Sequence, residues 1–217
     1  MNKKLFAVLC IAVLVLACAS ARVVNFAVGP SFGYFAGDAP LNKEEHITMP
    51  YSGFGFGFDT TLSFTFGDRA ELFFQDVFNI SDKSAFPEDG IPDELFQSTL
   101  DNKSYIGFEY AVITDPVKLS VGAAAVIEMV MSIYEKQLFG GSYQVFPVIM
   151  NIGFGLTAKV EYVFAKNFSL FFKGNLDYYP YGAYMIGSNV DEETTEAVAD
   201  SVKNFSAGAS AGIILFF

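Results

Sequence analysis

The sequence predicts an all-β fold: a closed eight-stranded antiparallel transmembrane β-barrel with long outer loops and short periplasmic turns. Apolar residues alternate with small or polar residues at a period of two, most clearly in residues 53–66, GFGFGFDTTLSFTF. Beyond residue 21 no segment has the roughly 18 consecutive apolar residues of a transmembrane helix. The connections between the alternating segments are long and short in turn, which is typical of a barrel crossing a membrane.

The first 21 residues form a predicted, cleaved signal peptide. A short basic region precedes an apolar run from Leu5 to Ala17, and Ala19-Ser20-Ala21 has the small residues that signal peptidase accepts. We therefore expect residues 22–217 to form a single barrel domain. An alternative stays open, because Val15-Leu16-Ala17-Cys18 loosely resembles a lipobox, in which the cysteine is acylated instead.

Eight segments carry the period-2 alternation of strands. In chain order they are about 23–35, 52–66, 69–78, 104–113, 117–133, 147–164, 168–179 and 204–217. The third segment is the least regular, because Phe73 and Phe74 put an aromatic ring on each face. Asp76 falls on the apolar face of the same segment.

The connections between these segments have two lengths. Gly67-Asp68, Thr114-Asp115-Pro116 and Ala165-Lys166-Asn167 carry the residues that tight hairpins need. The long connections, which carry most of the acidic residues, are about 36–51, 79–103, 134–146 and 180–203. In outer-membrane barrels the short turns and both termini are periplasmic and the long loops face outward.

Two parts of the long connections are predicted to form short helices at the outer rim. Ile91–Phe96 has Pro in its first turn followed by acidic residues. In Asp191–Val202, Thr194, Val198 and Val202 are spaced four residues apart, as on one face of a helix. Phe86, Leu95 and Phe96 are expected either to cap the mouth of the barrel or to contact a partner, and capping is favoured.

The apolar face of each strand is expected to contact lipid. A soluble barrel would turn its phenylalanines inward and carry many charges outside. Here the other face carries mainly Gly, Ser and Thr, and eight strands leave too little room inside for six large side chains from one strand. The small and polar residues are therefore expected to fill a narrow lumen, while strand pairing satisfies the backbone groups within hydrocarbon.

Tyrosines are expected to form a girdle at each membrane interface, where one end of the ring is apolar and the other is wet. We assign to these girdles residues close to the strand ends: Tyr34, Tyr51, Tyr110, Tyr134, Tyr162 and Tyr178.

The C-terminal segment alternates apolar residues up to a terminal aromatic, at Ala209, Ala211, Ile213, Leu215 and Phe217. With this ending and strand layout, residues 22–217 resemble the small outer-membrane barrels of diderm bacteria, the group of the OmpA transmembrane domain, OmpX and OmpW. The resemblance implies a multi-pass protein of the outer membrane, surrounded by lipid. It also implies that Ile213, Leu215 and Phe217 form a signal for the barrel-assembly machinery. These families often carry Trp in their girdles, and this chain has none.

Charged residues of inward parity lie within a few residues of the short turns. They are Arg69, Glu71, Glu109, Lys118, Lys159, Glu161 and Lys173. Because isolated buried charges are costly, they are expected to pair and to fill the periplasmic half of the lumen. Such a charged interior resembles that of the OmpA-type barrel, in which it is regarded as a plug or a gate. The resemblance therefore implies one of these roles here.

The half of the barrel nearest the long loops, together with these loops, is predicted to be acidic. Asp59, Glu128 and Asp177 have inward parity without an inward cation beside them, and removing the leader lowers the net charge from −11 to −13. This acidity excludes a nucleic-acid partner, which needs clustered Lys and Arg. It also disfavours an anionic glycolipid, while cations or a basic extracellular partner could be attracted to the loops.

Three classes of function follow from these patterns. The favoured one is a structural or surface-interaction protein with acidic loops and a salt-bridged lumen. The alternative is a narrow gated channel for small cations or small hydrophobic molecules. An enzyme of the outer leaflet is the least favoured, because His46 is the only histidine and no cofactor motif, metal-ligand spacing or catalytic set is present.

Overall fold

The computed structural model describes residues 23–44, 47–86, 91–138, 141–188 and 198–217. Eight strands lie in these ranges: β1 (Val23–Asn42), β2 (Ile47–Phe66), β3 (Ala70–Ser81), β4 (Phe96–Ile113), β5 (Lys118–Leu138), β6 (Gly141–Ala165), β7 (Phe168–Ser188) and β8 (Val198–Phe216). A 3₁₀-helix, Asp93–Leu95, precedes β4. The predicted leader and Cys18 lie outside the described residues.

Each strand pairs antiparallel with the next, and β8 pairs with β1 to close the ring. The predicted fold class, a closed eight-stranded antiparallel barrel, is confirmed. Closure gives every strand a hydrogen-bonded neighbour on both sides, which hydrocarbon requires because it contains no water to bind a free backbone group. Among the described residues no helix is long and apolar enough to cross a membrane.

The two ends of the barrel differ in their connections. At one end, here the turn end, the links are 67–69, 114–117 and 166–167, and Gly67 takes a positive φ of 62° in the first of them. At the opposite end, here the loop end, the links are 43–46, 82–95, 139–140 and 189–197.

Side chains alternate between the outer wall and the lumen along each strand. In β6, Ile152, Phe154 and Leu156 are more than half exposed on the wall, whereas Asn151 and Thr157 are buried in the lumen. Gly alternates with Phe in β2 for a steric reason: a side chain at Gly57 would collide with the carbonyl oxygen of Phe78 on β3.

The strands run farther toward the loop end than their hydropathy predicts. β1 continues to Asn42 and β4 begins at Phe96, so much of the predicted long connections is strand. The predicted helix at Ile91–Phe96 is reduced to three residues of 3₁₀-helix. The predicted helix at Asp191–Val202 is wrong over its last five residues, which are the first residues of β8, and its other residues lie outside the described ranges.

Asp76 faces outward from β3, between the wall residues Phe74 and Phe78. Its Oδ1 accepts hydrogen bonds from Asn102 Nδ2 (3.1 Å) and Ser104 Oγ (2.9 Å) on β4. These two donors on the neighbouring strand partly offset the cost of a carboxylate on an apolar wall.

Candidate functional site

The lumen near the turn end holds a group of six charged side chains, here the turn-end cluster: Glu71, Glu109, Lys118, Lys159, Glu161 and Lys173. Strand pairing explains how they meet. Glu71 and Glu109 are paired on β3 and β4, and Lys159 and Lys173 are paired on β6 and β7. Two carboxylates on one wall therefore face two ammonium groups on the opposite wall.

The bridges across the lumen are short. Lys159 Nζ lies 2.9 Å from Glu71 Oε2 and 2.9 Å from Glu109 Oε2, and Lys173 Nζ lies 2.9 Å from Glu109 Oε1. Lys118 Nζ is 3.4 Å from Glu71 Oε2 and 3.9 Å from Glu161 Oε2. Three acids and three bases thus balance in charge and join β3 and β4 to β5, β6 and β7.

Arg69 does not belong to the turn-end cluster. It lies exposed in the turn between β2 and β3, and its carbonyl oxygen accepts a hydrogen bond from the backbone N of Ala111. The predicted lumen position of Arg69 is wrong because the turn extends through residue 69 and β3 begins at Ala70.

Farther from the turn end, the lumen holds four carboxylates and one lysine, here the mid-lumen acids: Asp59, Asp101, Glu128 and Asp177, with Lys103. Each is at most 3% exposed. Lys103 Nζ is 3.3 Å from Asp101 Oδ2 and 3.5 Å from Glu128 Oε1. The prediction that no inward cation lies beside the acids is wrong, because β4 begins eight residues earlier than predicted and brings Lys103 into the lumen.

Neutral side chains provide most of the hydrogen bonds to these carboxylates. Tyr105 OH and Ser206 Oγ each donate to Asp177 Oδ2 at 2.8 Å, and Asn151 Nδ2 donates to Glu128 Oε2 at 2.7 Å. Gln75 Nε2 donates to Asp59 Oδ2 at 2.7 Å. This hydrogen bonding compensates part of the cost of burying more acids than bases.

An apolar group closes the lumen at the loop end and is here called the mouth plug. It comprises Phe35, Ala39, Met49, Tyr51, Ala85, Phe86, Val130, Ile149 and Tyr184. Phe86 is fully buried, and its ring centroid lies 5.7 Å from those of both Tyr51 and Tyr184. The chain after β3 turns inward to place it, with Ser52 N donating to Ala85 O at 3.0 Å. Phe86 therefore caps the mouth from within.

The turn end is also packed. Ala27, Phe171 and Ile214 form a buried apolar group there, with Phe216 against it. Next to the turn-end cluster and next to Lys103 lie two cavities of about 10 Å³ each, roughly the room of one water molecule. The described lumen is thus filled with side chains from one end to the other.

The six predicted girdle tyrosines divide into two groups. Tyr34, Tyr110, Tyr162 and Tyr178 are 38–53% exposed on the outer wall. Tyr51 and Tyr134 are 2% exposed in the lumen, so their assignment to a girdle is wrong. Both have inward parity, and their hydroxyl groups bond to Asn151 and Ser84 respectively.

The C-terminal residues complete the ring beside β1. Phe26 pairs with Leu215 and Val28 with Ile213, and Phe217 is 76% exposed at the turn end. Their role as an assembly signal stays a prediction. His46 lies outside the described residues, and within the described ranges no three Asp, Glu, His or Cys side chains are placed to hold a metal ion.

Comparison with models of protein families finds no match, and comparison with curated proteins finds none either. Solved structures do match. Neisserial surface protein A is 17% identical with a TM-score of 0.51, over 88% of this chain and 97% of that one. The outer membrane protein AlkL, determined in lipid bilayers, is 11% identical with a TM-score of 0.52, over 90% of each chain.

This chain has the fold of the small outer-membrane β-barrels. A major outer membrane protein of Thermus thermophilus gives the same result, with 14% identity and a TM-score of 0.50 over 88% of this chain and 99% of that one. At these identities the likeness concerns the fold, so the function has to be argued from the lumen and the rim.

Proposed function

We propose that this chain is an integral outer-membrane barrel whose lumen does not conduct and whose outer rim is the working surface. In this arrangement the turn end and both termini are periplasmic and the loop end faces outward. The mouth plug carries the proposal: Phe35 and Phe86 are fully buried and Tyr51 is 2% exposed, so aromatic rings fill the entrance.

A second barrier supports the same function. Beyond the mouth plug an ion would meet the turn-end cluster, where Lys159 bridges two glutamates at 2.9 Å each. Opening that layer would separate buried ion pairs and leave each charge uncompensated. Loss of one partner of a buried pair costs about 3–5 kcal/mol. Two barriers in series therefore oppose a resting conductance and leave the lumen as a brace between the strands.

The outer rim is then the part that meets other molecules. It is acidic in sequence: the link 189–197 alone contains Asp191, Glu192, Glu193 and Glu196. A rim of this charge favours cations or a basic extracellular partner and repels anionic ones. The proposed function requires no catalysis and no cofactor.

Planar-bilayer recording of the refolded chain tests this function. We expect no single-channel openings, because both barriers are built from the folded barrel itself. Steady cation-selective openings, altered when Lys118 or Lys159 is replaced by Gln, would instead establish the narrow-channel function and overturn ours.

A further inference from the structure

A groove opens on the outer wall where β3 ends. Pairing of β2 with β3 stops at Phe56 and Ile80, whereas β2 itself continues to Ile47. The residues that follow β3 turn into the lumen to form part of the mouth plug, and Ala85 is fully buried there. The wall between β2 and β4 is therefore left open on the outside, with a groove of about 770 Å³.

The lining of this groove changes from apolar to polar toward the loop end. Tyr34, Phe54, Phe56 and Ile80 form its apolar part, and Ser52, Asp82, Lys83, Gln97 and Ser98 lie at its rim. Phe54 and Phe56 are 63% and 74% exposed, and the rings of Tyr34 and Phe54 lie 4.7 Å apart. Such a lining suits a molecule with an apolar tail and a polar head.

The main chain of Lys83, in the polar rim, is held by hydrogen bonds to two hydroxyl groups. Lys83 N donates to Ser81 Oγ at 3.2 Å, and Lys83 O accepts from Thr99 Oγ1 at 2.8 Å. Asp82 and Lys83 are both exposed and present one negative and one positive charge side by side. Among the described residues that line the groove, Asp82 and Lys83 are the two charged ones, so the net charge of the rim is zero.

We propose that this groove binds one zwitterionic phospholipid of the surrounding membrane. An acyl chain lies along Phe54, Phe56 and Ile80, Lys83 contacts the phosphate, and Asp82 contacts the ammonium group of an ethanolamine head. The groove volume falls within the roughly 300–1,000 Å³ of small-molecule sites. A lipid headgroup with several phosphates would meet only one lysine and would be repelled by the aspartate, so its electrostatic attraction to this rim is weaker.

Native mass spectrometry of the refolded chain in detergent provides the test. The barrel is mixed with equal amounts of a phosphatidylethanolamine and of a phosphatidylglycerol with the same acyl chains. We expect one phosphatidylethanolamine to stay bound per barrel, in excess of phosphatidylglycerol. Lys83→Gln and Asp82→Asn should each lower that excess about threefold, the size expected for an exposed charge pair.

Matched variants separate this groove from the rest of the wall. Ser52→Trp places a ring in the groove and should abolish the adduct, while Ser201→Trp, at an exposed position on β8, should leave it unchanged. Lys203→Gln on β8 is the control for Lys83→Gln. An adduct that survives Ser52→Trp, or equal retention of the two lipids, would overturn the proposal. The result does not depend on whether the lumen conducts.

Discussion

The turn-end cluster and the mid-lumen acids are two layers of one lumen, of which the first is balanced in charge and the second has an excess of acids. The first has three acids and three bases joined by bridges as short as 2.9 Å. The second has four carboxylates and one cation, Lys103, whose two bridges, to Asp101 and Glu128, measure 3.3 and 3.5 Å. Removal of a carboxylate should therefore weaken the first layer and cost little in the second. Net balance, more than burial, decides what each residue contributes.

The largest effect is expected from Lys159→Met. This change leaves Glu71 and Glu109 buried without their shared cation, which costs about 3–5 kcal/mol of unfolding free energy. Urea unfolding of the barrel in lipid vesicles, followed by circular dichroism, measures it. Lys166→Met, at an exposed position in the turn before β7, is the control and should stay within about 0.5 kcal/mol of the parent chain. Equal midpoints for the two variants would show that the bridges do not stabilise the barrel.

A pair of glutamates sharpens the comparison between the layers. Glu109→Gln removes the carboxylate that Lys159 and Lys173 share, while Lys159 keeps Glu71, and should cost about 2–3 kcal/mol, as for hydrogen bonds to charged groups. Glu128→Gln removes one acid from an excess of acids, keeps an oxygen that accepts from Asn151 Nδ2, and leaves Lys103 its bridge to Asp101, so its effect should stay within about 1 kcal/mol of zero. The same urea unfolding measures both. A larger loss for Glu128→Gln would contradict the role given to charge balance.

Six of the seven charged residues predicted near the short turns lie in the turn-end cluster, because parity and height are both clear there. Glu109, for example, alternates strictly with apolar neighbours in β4. Lys103 and Asp101 were missed because the outward residues beside them, Asn102 and Ser104, are themselves polar, so the apolar alternation disappears there. By hydropathy alone, a strand in this region cannot be distinguished from a polar loop.

The error in the girdle tyrosines has a different cause. Tyr51 and Tyr134 were assigned by their height alone, although their parity already indicates the lumen. The burial of Phe86 depends on a chain reversal after β3, which rests on contacts such as Ser52 N to Ala85 O between residues far apart in sequence. Local periodicity carries no information about such contacts.

The central claim is that the phenylalanine wall contacts lipid and the polar face lines the lumen. The chain has no Trp, so single tryptophans report their own positions without background. Phe56→Trp and Phe154→Trp test wall positions that are 74% and 67% exposed, and Phe73→Trp tests a lumen position that is 1% exposed. In vesicles of brominated lipid we predict strong fluorescence quenching for the two wall positions and weak quenching for Phe73→Trp. Equal or reversed quenching in folded barrels would contradict the claim.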